Sequence, residues 1–321
     1  MAVGRNLPSK RYMAGERSVT RLNYKWDAGS SGGPKYIDLA KNLSQVNRRA
    51  YRQGLYYYVS KVSFSNSGDA YCAVYTIPDT WCTKVAWLRG FRMWNKMNAR
   101  AMADMPNLIT PKYHDFKIRM TQQSGSETTL NPKYGNITST TEYSIDEWVL
   151  SKFVTDDPPG DDPEDVDTFT VHMLGGHAGS SSNWTSVGLL HSLNDVWRRP
   201  DSDGEPTFDG EMDTDPISNL FDAGDSHDDV RLNLDQDNDQ TPYNNDTMPG
   251  SSSVDDQTMA AVMRSGTGAG SWVTHPGFCA PFGLLEVYVT DFGEAGDIGD
   301  VELVIDLVPG SYHGVYAERV A

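Results

Sequence analysis

Two hydrophobic periods alternate along this chain. Around residues 56–64, Tyr56, Tyr58, Val62 and Phe64 lie at even spacings, as in a strand, and AYCAVYTI (70–77) reads as its hairpin partner after the turn Ser67-Gly68-Asp69. Period two returns at 168–174 (TFTVHML) and near the C-terminus. There Leu285, Val287 and Val289 alternate with Leu284, Glu286 and Tyr288, and Val301, Leu303, Ile305 and Leu307 alternate with Glu302, Val304, Asp306 and Val308. Another strand is expected around 143–154. Helical spacing appears in three places. Asp38 can cap a helix carrying Leu39, Leu43, Val46 and Ala50, closed by Gly54. From Thr80 to Asp104, Trp87, Phe91, Trp94 and Ala101 share a side. Leu189, Leu193 and Val196 mark a short helix at about 186–199, stopped by Pro200.

Strong strands at both ends, long polar connections and only three helices predict a mainly β, antiparallel fold. The expectation is a jelly roll or sandwich with helical and acidic loop insertions, and the 321 residues leave room for a double jelly roll. No internal repeat and no alternation of βα units argues otherwise. Residues 1–35, poor in apolar side chains, read as a basic N-terminal arm. Residues 36–321 form the body, with acidic surface insertions near 156–167 and 201–256.

Charge changes the picture. Residues 1–120 hold 20 Lys+Arg against 7 Asp+Glu, whereas residues 121–321 hold 7 against 37. A net charge of −17 therefore conceals a basic and an acidic half. Between Asp201 and Asp256 there are 17 acids and one base, Arg231, which marks an exposed insertion. On the second helix Lys84, Arg92, Lys96 and Arg100 recur at multiples of four, with no acid from Thr80 to Ala103 to relieve them. Like charges so placed cost a helix about 0.2–0.5 kcal/mol per pair, so an anion beside the row would account for it better than solvent alone.

Searches for catalytic chemistry return little. GxSxG, HExxH and Walker A strings are absent, and 44 acids offer no distinguishable general acid–base pair, so the chain is not expected to be an enzyme. His172 and His177 flank Gly175-Gly176, a turn rather than a shared helix face. Three cysteines, Cys72, Cys82 and Cys279, read as small buried apolar residues. Asp235, Asp237, Asp239 and Asp246 occupy positions 1, 3, 5 and 12 of a calcium-loop spacing, so Ca²⁺ is the one cofactor to consider. Gln240 and Pro242 spoil that loop, and a solvated acidic stretch is the plainer alternative. Neither a signal-peptide core nor a run of 18 apolar residues occurs, which predicts synthesis in the cytoplasm without a membrane span.

The basic half carries the functional expectation. Arg5, Lys10, Arg11, Arg17, Arg21, Lys25, Arg48, Arg49 and Arg52, with Tyr and Trp nearby, suit phosphates and unpaired bases. Tyr36-Ile37-Asp38-Leu39-Ala40, Asn47-Arg48-Arg49-Ala50-Tyr51-Arg52-Gln53-Gly54, Pro78-Asp79-Thr80-Trp81 and the tail Val308-Pro309-Gly310-Ser311-Tyr312-His313-Gly314-Val315 carry a resemblance over residues 36–105 and 278–320. They resemble capsid proteins of environmental, often marine, circular single-stranded DNA viruses. That resemblance implies a jelly-roll subunit that assembles with identical copies into an icosahedral virion shell around a small single-stranded DNA genome, with a host receptor still to be named. Two competing expectations are a carbohydrate-binding β-sandwich with acidic, calcium-binding loops and a hydrolase adapted to salt. The first lacks a secretion signal and the second lacks a nucleophile–base pair.

Overall fold

The computed structural model describes residues 17–29, 32–104, 112–125, 128–136, 139–156, 166–180, 183–196, 248–251, 257–265, 271–291 and 298–320. Its strands in chain order begin with β1 (Arg21–Asp27) and β2 (Gly33–Asp38), followed by helix α1 (Leu39–Asn47), then β3 (Leu55–Asn66) and β4 (Ala70–Thr76). Helix α2 (Trp81–Asp104) leads into the short strands β5 (Arg119–Thr121), β6 (Lys133–Asn136) and β7 (Ser139–Glu142). Next come β8 (Lys152–Asp156), β9 (Val166–Leu174), β10 (Ala178–Ser180), β11 (Asn183–Gly188) and helix α3 (Leu189–Val196). After it follow β12 (Thr258–Arg264), β13 (Val273–Ala280), β14 (Leu284–Asp291), β15 (Asp300–Leu307), β16 (Pro309–Gly310), β17 (Gly314–Val315) and β18 (Ala317–Arg319).

Eight of these strands make a sandwich. One sheet runs β1-β15-β3-β13, with β18 added to the start of β3, and the other runs β12-β4-β14-β2. Every pairing within the two sheets is antiparallel. The cause lies in the alternation. On β15 Val301, Leu303, Ile305 and Leu307 turn inward, and they meet Leu22, Tyr24, Val62, Phe64, Val74, Leu285 and Val287 in a continuous core. Burying each such side chain stabilises the fold by about 1.5–3 kcal/mol. Helix α1 is fastened over this core: Asp38 caps it by accepting from the Lys41 backbone N–H, and Asn42 Nδ2 donates to the buried Tyr24 hydroxyl at 2.8 Å.

A smaller module sits beside the sandwich. Its sheet runs β10-β11-β9-β5, with β8 also on β9; β8 pairs antiparallel, whereas β11 and β5 run parallel to β9. Trp87 and Trp94 from α2, Leu189, Leu190 and Leu193 from α3, and Phe116, Val171 and Met173 form a second core with Tyr36, Tyr56 and Phe282 of the sandwich. Gln53 joins the two bodies. Its amide donates to Asp38 Oδ2 at 2.6 Å and to the Ile118 carbonyl at 3.2 Å, while its own carbonyl accepts from the Ile118 N–H at 2.7 Å.

Several expectations are corrected by these contacts. The stretch read as an arm to residue 35 already contains β1 and β2; the composition of RLNYKWD concealed that Leu22 and Tyr24 alternate inward between exposed polar positions. β4 is not the hairpin partner of β3 but lies in the opposite sheet. The turn between them is held for that crossing by Ser67, whose N–H donates to the Asp300 carbonyl, and by Ser265, which bonds Asn66 and the Gly68 carbonyl. Helix α1 stops at Asn47 because Arg48 adopts the left-handed conformation (φ 53°, ψ 40°), so Ala50 stands outside the helix and exposed. Gly54 has φ +75°, and a Cβ there would run into the Trp87 ring. The expected strand at 143–154 is regular only from Lys152, and the antiparallel pairing expected of the fold holds in the sandwich but gives way at β9 to two parallel neighbours. The described residues form one sandwich, since the third sheet is covered by helices rather than by a second sheet of its own. Most of the acidic stretches near 156–167 and 201–256 lies outside the described residues.

Candidate nucleic-acid interface

The predicted cations separate into three groups. Arg5, Lys10 and Arg11, like Asp235, Asp237, Asp239 and Asp246 of the calcium-loop spacing, lie outside the described residues. Arg21 and Lys25 are engaged within the sheet. Arg21 forms a fork on Asp306, Nε to Oδ1 at 2.6 Å and Nη2 to Oδ2 at 3.0 Å, and Lys61 reaches the same carboxylate at 3.5 Å. The Arg21 hydrogen bond, with the nearby Arg21 and Lys61 charges, holds the Asp306 carboxyl below the usual carboxylate range. Lys25 lies between Asp300 at 3.1 Å and Glu302 at 3.2 Å. Antiparallel register places Asp306 directly across from Arg21 and Glu302 directly across from Lys25, with Asp300 on the diagonal, a relation between distant parts of the chain that local spacing does not reveal. Arg52 lies 3.7 Å from Asp115, and its backbone N–H donates to the Tyr312 hydroxyl.

Arg17, Arg48 and Arg49 form the third group, and one asparagine gathers them. Asn47 Oδ1 accepts from the Val19 N–H at 2.7 Å, and Asn47 Nδ2 donates to the Val19 carbonyl at 3.0 Å. This two-point clip holds the segment entering β1 against the end of α1. Exposed Arg17 stands two residues before the clipped Val19, and exposed Arg48 and Arg49 directly follow Asn47. Asn47 gave no signal in the sequence. Its part depends on a partner 28 residues away, and an asparagine at a helix end is unexceptional.

A second basic surface runs along α2. Lys84 is taken up by Asp79 at 3.0 Å and lies over the Tyr56 ring. Arg92, Lys96 and Arg100 are exposed, without a carboxylate partner among the described residues, and exposed Met93 stands among them. Such a stripe can contact phosphates through its charges and stacked or apolar groups through its methionine.

The histidines prove to have separate surroundings. His172 is fully buried, with Nε2 donating to the Gly176 carbonyl at 3.0 Å and Nδ1 accepting from Ser186 Oγ at 2.7 Å. Desolvation pushes its pKa down to about 4, so the ring is neutral and pins β9 to β11. A serine beside a histidine resembles a hydrolytic pair, but both side chains are buried. His177 instead faces α3, near His191 and Asp195. Cys72, Cys82 and Cys279 form no disulfide, and burial pushes Cys279 up to about 11, far from a reactive thiolate.

Comparison with known proteins gives no further guide: no family model, no curated protein and no solved structure matches this chain. Among the described residues, no helix is long and apolar enough to cross a membrane.

Proposed function

We propose that this chain is a jelly-roll capsid subunit that assembles with identical copies into a closed icosahedral shell and holds single-stranded DNA through phosphate contacts. The observation that carries the reading is the order in which the eight sandwich strands pair. β1 pairs with β15, β2 with β14, β3 with β13 and β4 with β12, so first meets last and the middle strands meet each other. Such a chain is a long antiparallel ribbon. Rolling it brings β15 against β3 and β14 against β4, the remaining contacts of the two sheets. Ribbon wrapping of this kind produces a jelly roll, an architecture shared by shell proteins and by carbohydrate-binding domains.

Charge favours the shell. Exposed Arg17, Arg48 and Arg49 flank the Asn47–Val19 clip, and as phosphate contacts they would extend the basic charge of the N-terminal sequence onto the folded body. Arg92, Lys96 and Arg100 add a second cationic surface. The acid-rich residues 201–256 would then belong on the solvent side of the shell, where hydrated carboxylates keep particles apart.

Electron microscopy of the purified protein, with and without circular single-stranded DNA, tests the assembly. Uniform closed shells are expected; isolated subunits under every condition, with binding to a glycan array, would favour the carbohydrate reading. DNA affinity should fall with salt at a log–log slope of about −0.7 per phosphate neutralised. Replacing Arg17, Arg48 and Arg49 together by alanine should flatten that slope by about 2 while leaving the thermal unfolding of the sandwich in place. A slope unchanged by the triple substitution would remove this cluster from the interface.

A further inference from the structure

We infer that His177, His191 and Asp195 form a three-ligand site for a divalent transition ion of the zinc class. His191 and Asp195 stand four residues apart on α3, one helical turn, and His177 follows the Gly175-Gly176 turn after β9. Nε2 of each histidine lies 3.6 Å from Asp195 Oδ2, and one ligand atom from each residue falls within 4.8 Å of the other two. A tetrahedral ion about 2.0–2.2 Å from nitrogen and oxygen ligands keeps them about 3.3 Å apart, so two of the three separations are nearly those of the occupied site. The two imidazoles meet edge to face, with centroids 4.5 Å apart, and small ring rotations bring their nitrogens together.

The chemistry of the set selects the ion. Two imidazole nitrogens with one carboxylate suit zinc and its neighbours, whereas calcium and magnesium prefer oxygen throughout. Both rings bind in their neutral form. In the metal-free ring His177 Nδ1 accepts from the Gly188 N–H at 3.2 Å, which leaves the proton on Nε2 facing Asp195. The ion takes the place of that proton; the proton moves to Nδ1 and the long Gly188 bond opens. His191 Nδ1 has no hydrogen-bond partner among the described residues, so its ring can keep a proton there while Nε2 offers its lone pair. The Asp195 side chain is half exposed. The inference is independent of the shell reading.

Calorimetric titration of the chelator-treated full chain with ZnCl₂, in excess Mg²⁺ to occupy the acidic stretches, tests the site. Wild type should take up one tightly bound Zn²⁺. Asp195→Asn, a change at an exposed side chain, should bind at least about tenfold more weakly, and His191→Gln should lose the tight equivalent while keeping the wild-type circular dichroism. Cobalt(II) in place of zinc should give a tetrahedral visible spectrum that both variants lack. Absence of tight Zn²⁺ uptake by wild type overturns the assignment, as does uptake of equal stoichiometry and affinity by wild type and both variants.

Discussion

In the sandwich, Arg21, Lys25, Lys61 and Arg264 each rest against a carboxylate on a neighbouring strand or turn, whereas on α2 of the side module Arg92, Lys96 and Arg100 face solvent with no such partner among the described residues. The difference follows from how each element distributes its charges. Strands set alternate residues across from a neighbour, so β15 can bring Asp300, Glu302 and Asp306 to the cations of β1 at no cost to its inward apolar face. A helix meets its own i+4 positions, and α2 has no acid until its last residue. Unrelieved repulsion of about 0.2–0.5 kcal/mol per pair is therefore kept on one element and avoided on the other. The cores differ too. The sandwich is filled mainly by aliphatic side chains, the module by interlocked rings around Phe116, whose centroid lies 5.6–5.9 Å from those of Trp87, Phe91 and Trp94.

If the module can open while the sandwich stays folded, truncating the module core should leave the sandwich protected, whereas truncating the sandwich core should open both. Phe64→Ala in the sandwich and Phe116→Ala in the module should each cost about 3–5 kcal/mol, since both rings are almost wholly buried. Hydrogen exchange distinguishes them. Phe116→Ala should expose amides of α2, α3 and β9 while β3 and β15 keep their protection, and Phe64→Ala should expose all of them. Equal loss across both bodies in Phe116→Ala would show one cooperative unit and break the comparison.

A smaller loss is expected at the junction. Gln53→Ala removes three hydrogen bonds and leaves the buried Ile118 N–H and the Asp38 carboxylate short of partners, a cost of about 1–3 kcal/mol. The pH dependence gives a second reading. Burial raises the folded pKa of Asp38 above its unfolded value, so its ionised form opposes folding at neutral pH and the penalty fades as pH falls through the folded pKa. Gln53 donates to the ionised form. Its removal should widen the stability gap at about pH 7 and narrow it near pH 4, measured by denaturant unfolding; a gap independent of pH would mean that Gln53 acts through Ile118 alone.

How far the sequence reveals all this depends on the range of each interaction. Period-two burial on β15 and the Asp38 cap of α1 are local and were legible, as was the cationic side of α2. The fate of Arg21 and Lys25 was not, because their partners arrive from the other end of the chain through sheet register. Nor was the sheet to which β4 belongs. Its burial alternates equally well beside β3 or in the opposite sheet, and the decision lies with Ser67 and Ser265 at the crossing. His191 and Asp195 were hidden for a similar reason: their spacing is that of any helix pair until a turn 14 residues upstream brings His177 to them.

The smallest effect concerns Arg48, an exposed cation of the sandwich at the end of α1. Arg48 is exposed and holds a left-handed backbone where glycine is usual after a helix. That conformation costs a side chain about 1–2 kcal/mol, partly offset because glycine leaves the unfolded chain freer. Arg48→Gly should therefore stabilise the protein by about 0.5–1 kcal/mol, read as a higher denaturant midpoint with an unchanged slope. If the arginine is kept for phosphate, the same variant should bind single-stranded DNA with a salt slope shallower by about 0.7. Both changes together would align Arg48 with the open cations of α2. A stability gain with an unaltered salt slope would return it to the sandwich, whose charges serve the fold, and would leave Arg17 and Arg49 to carry the cluster.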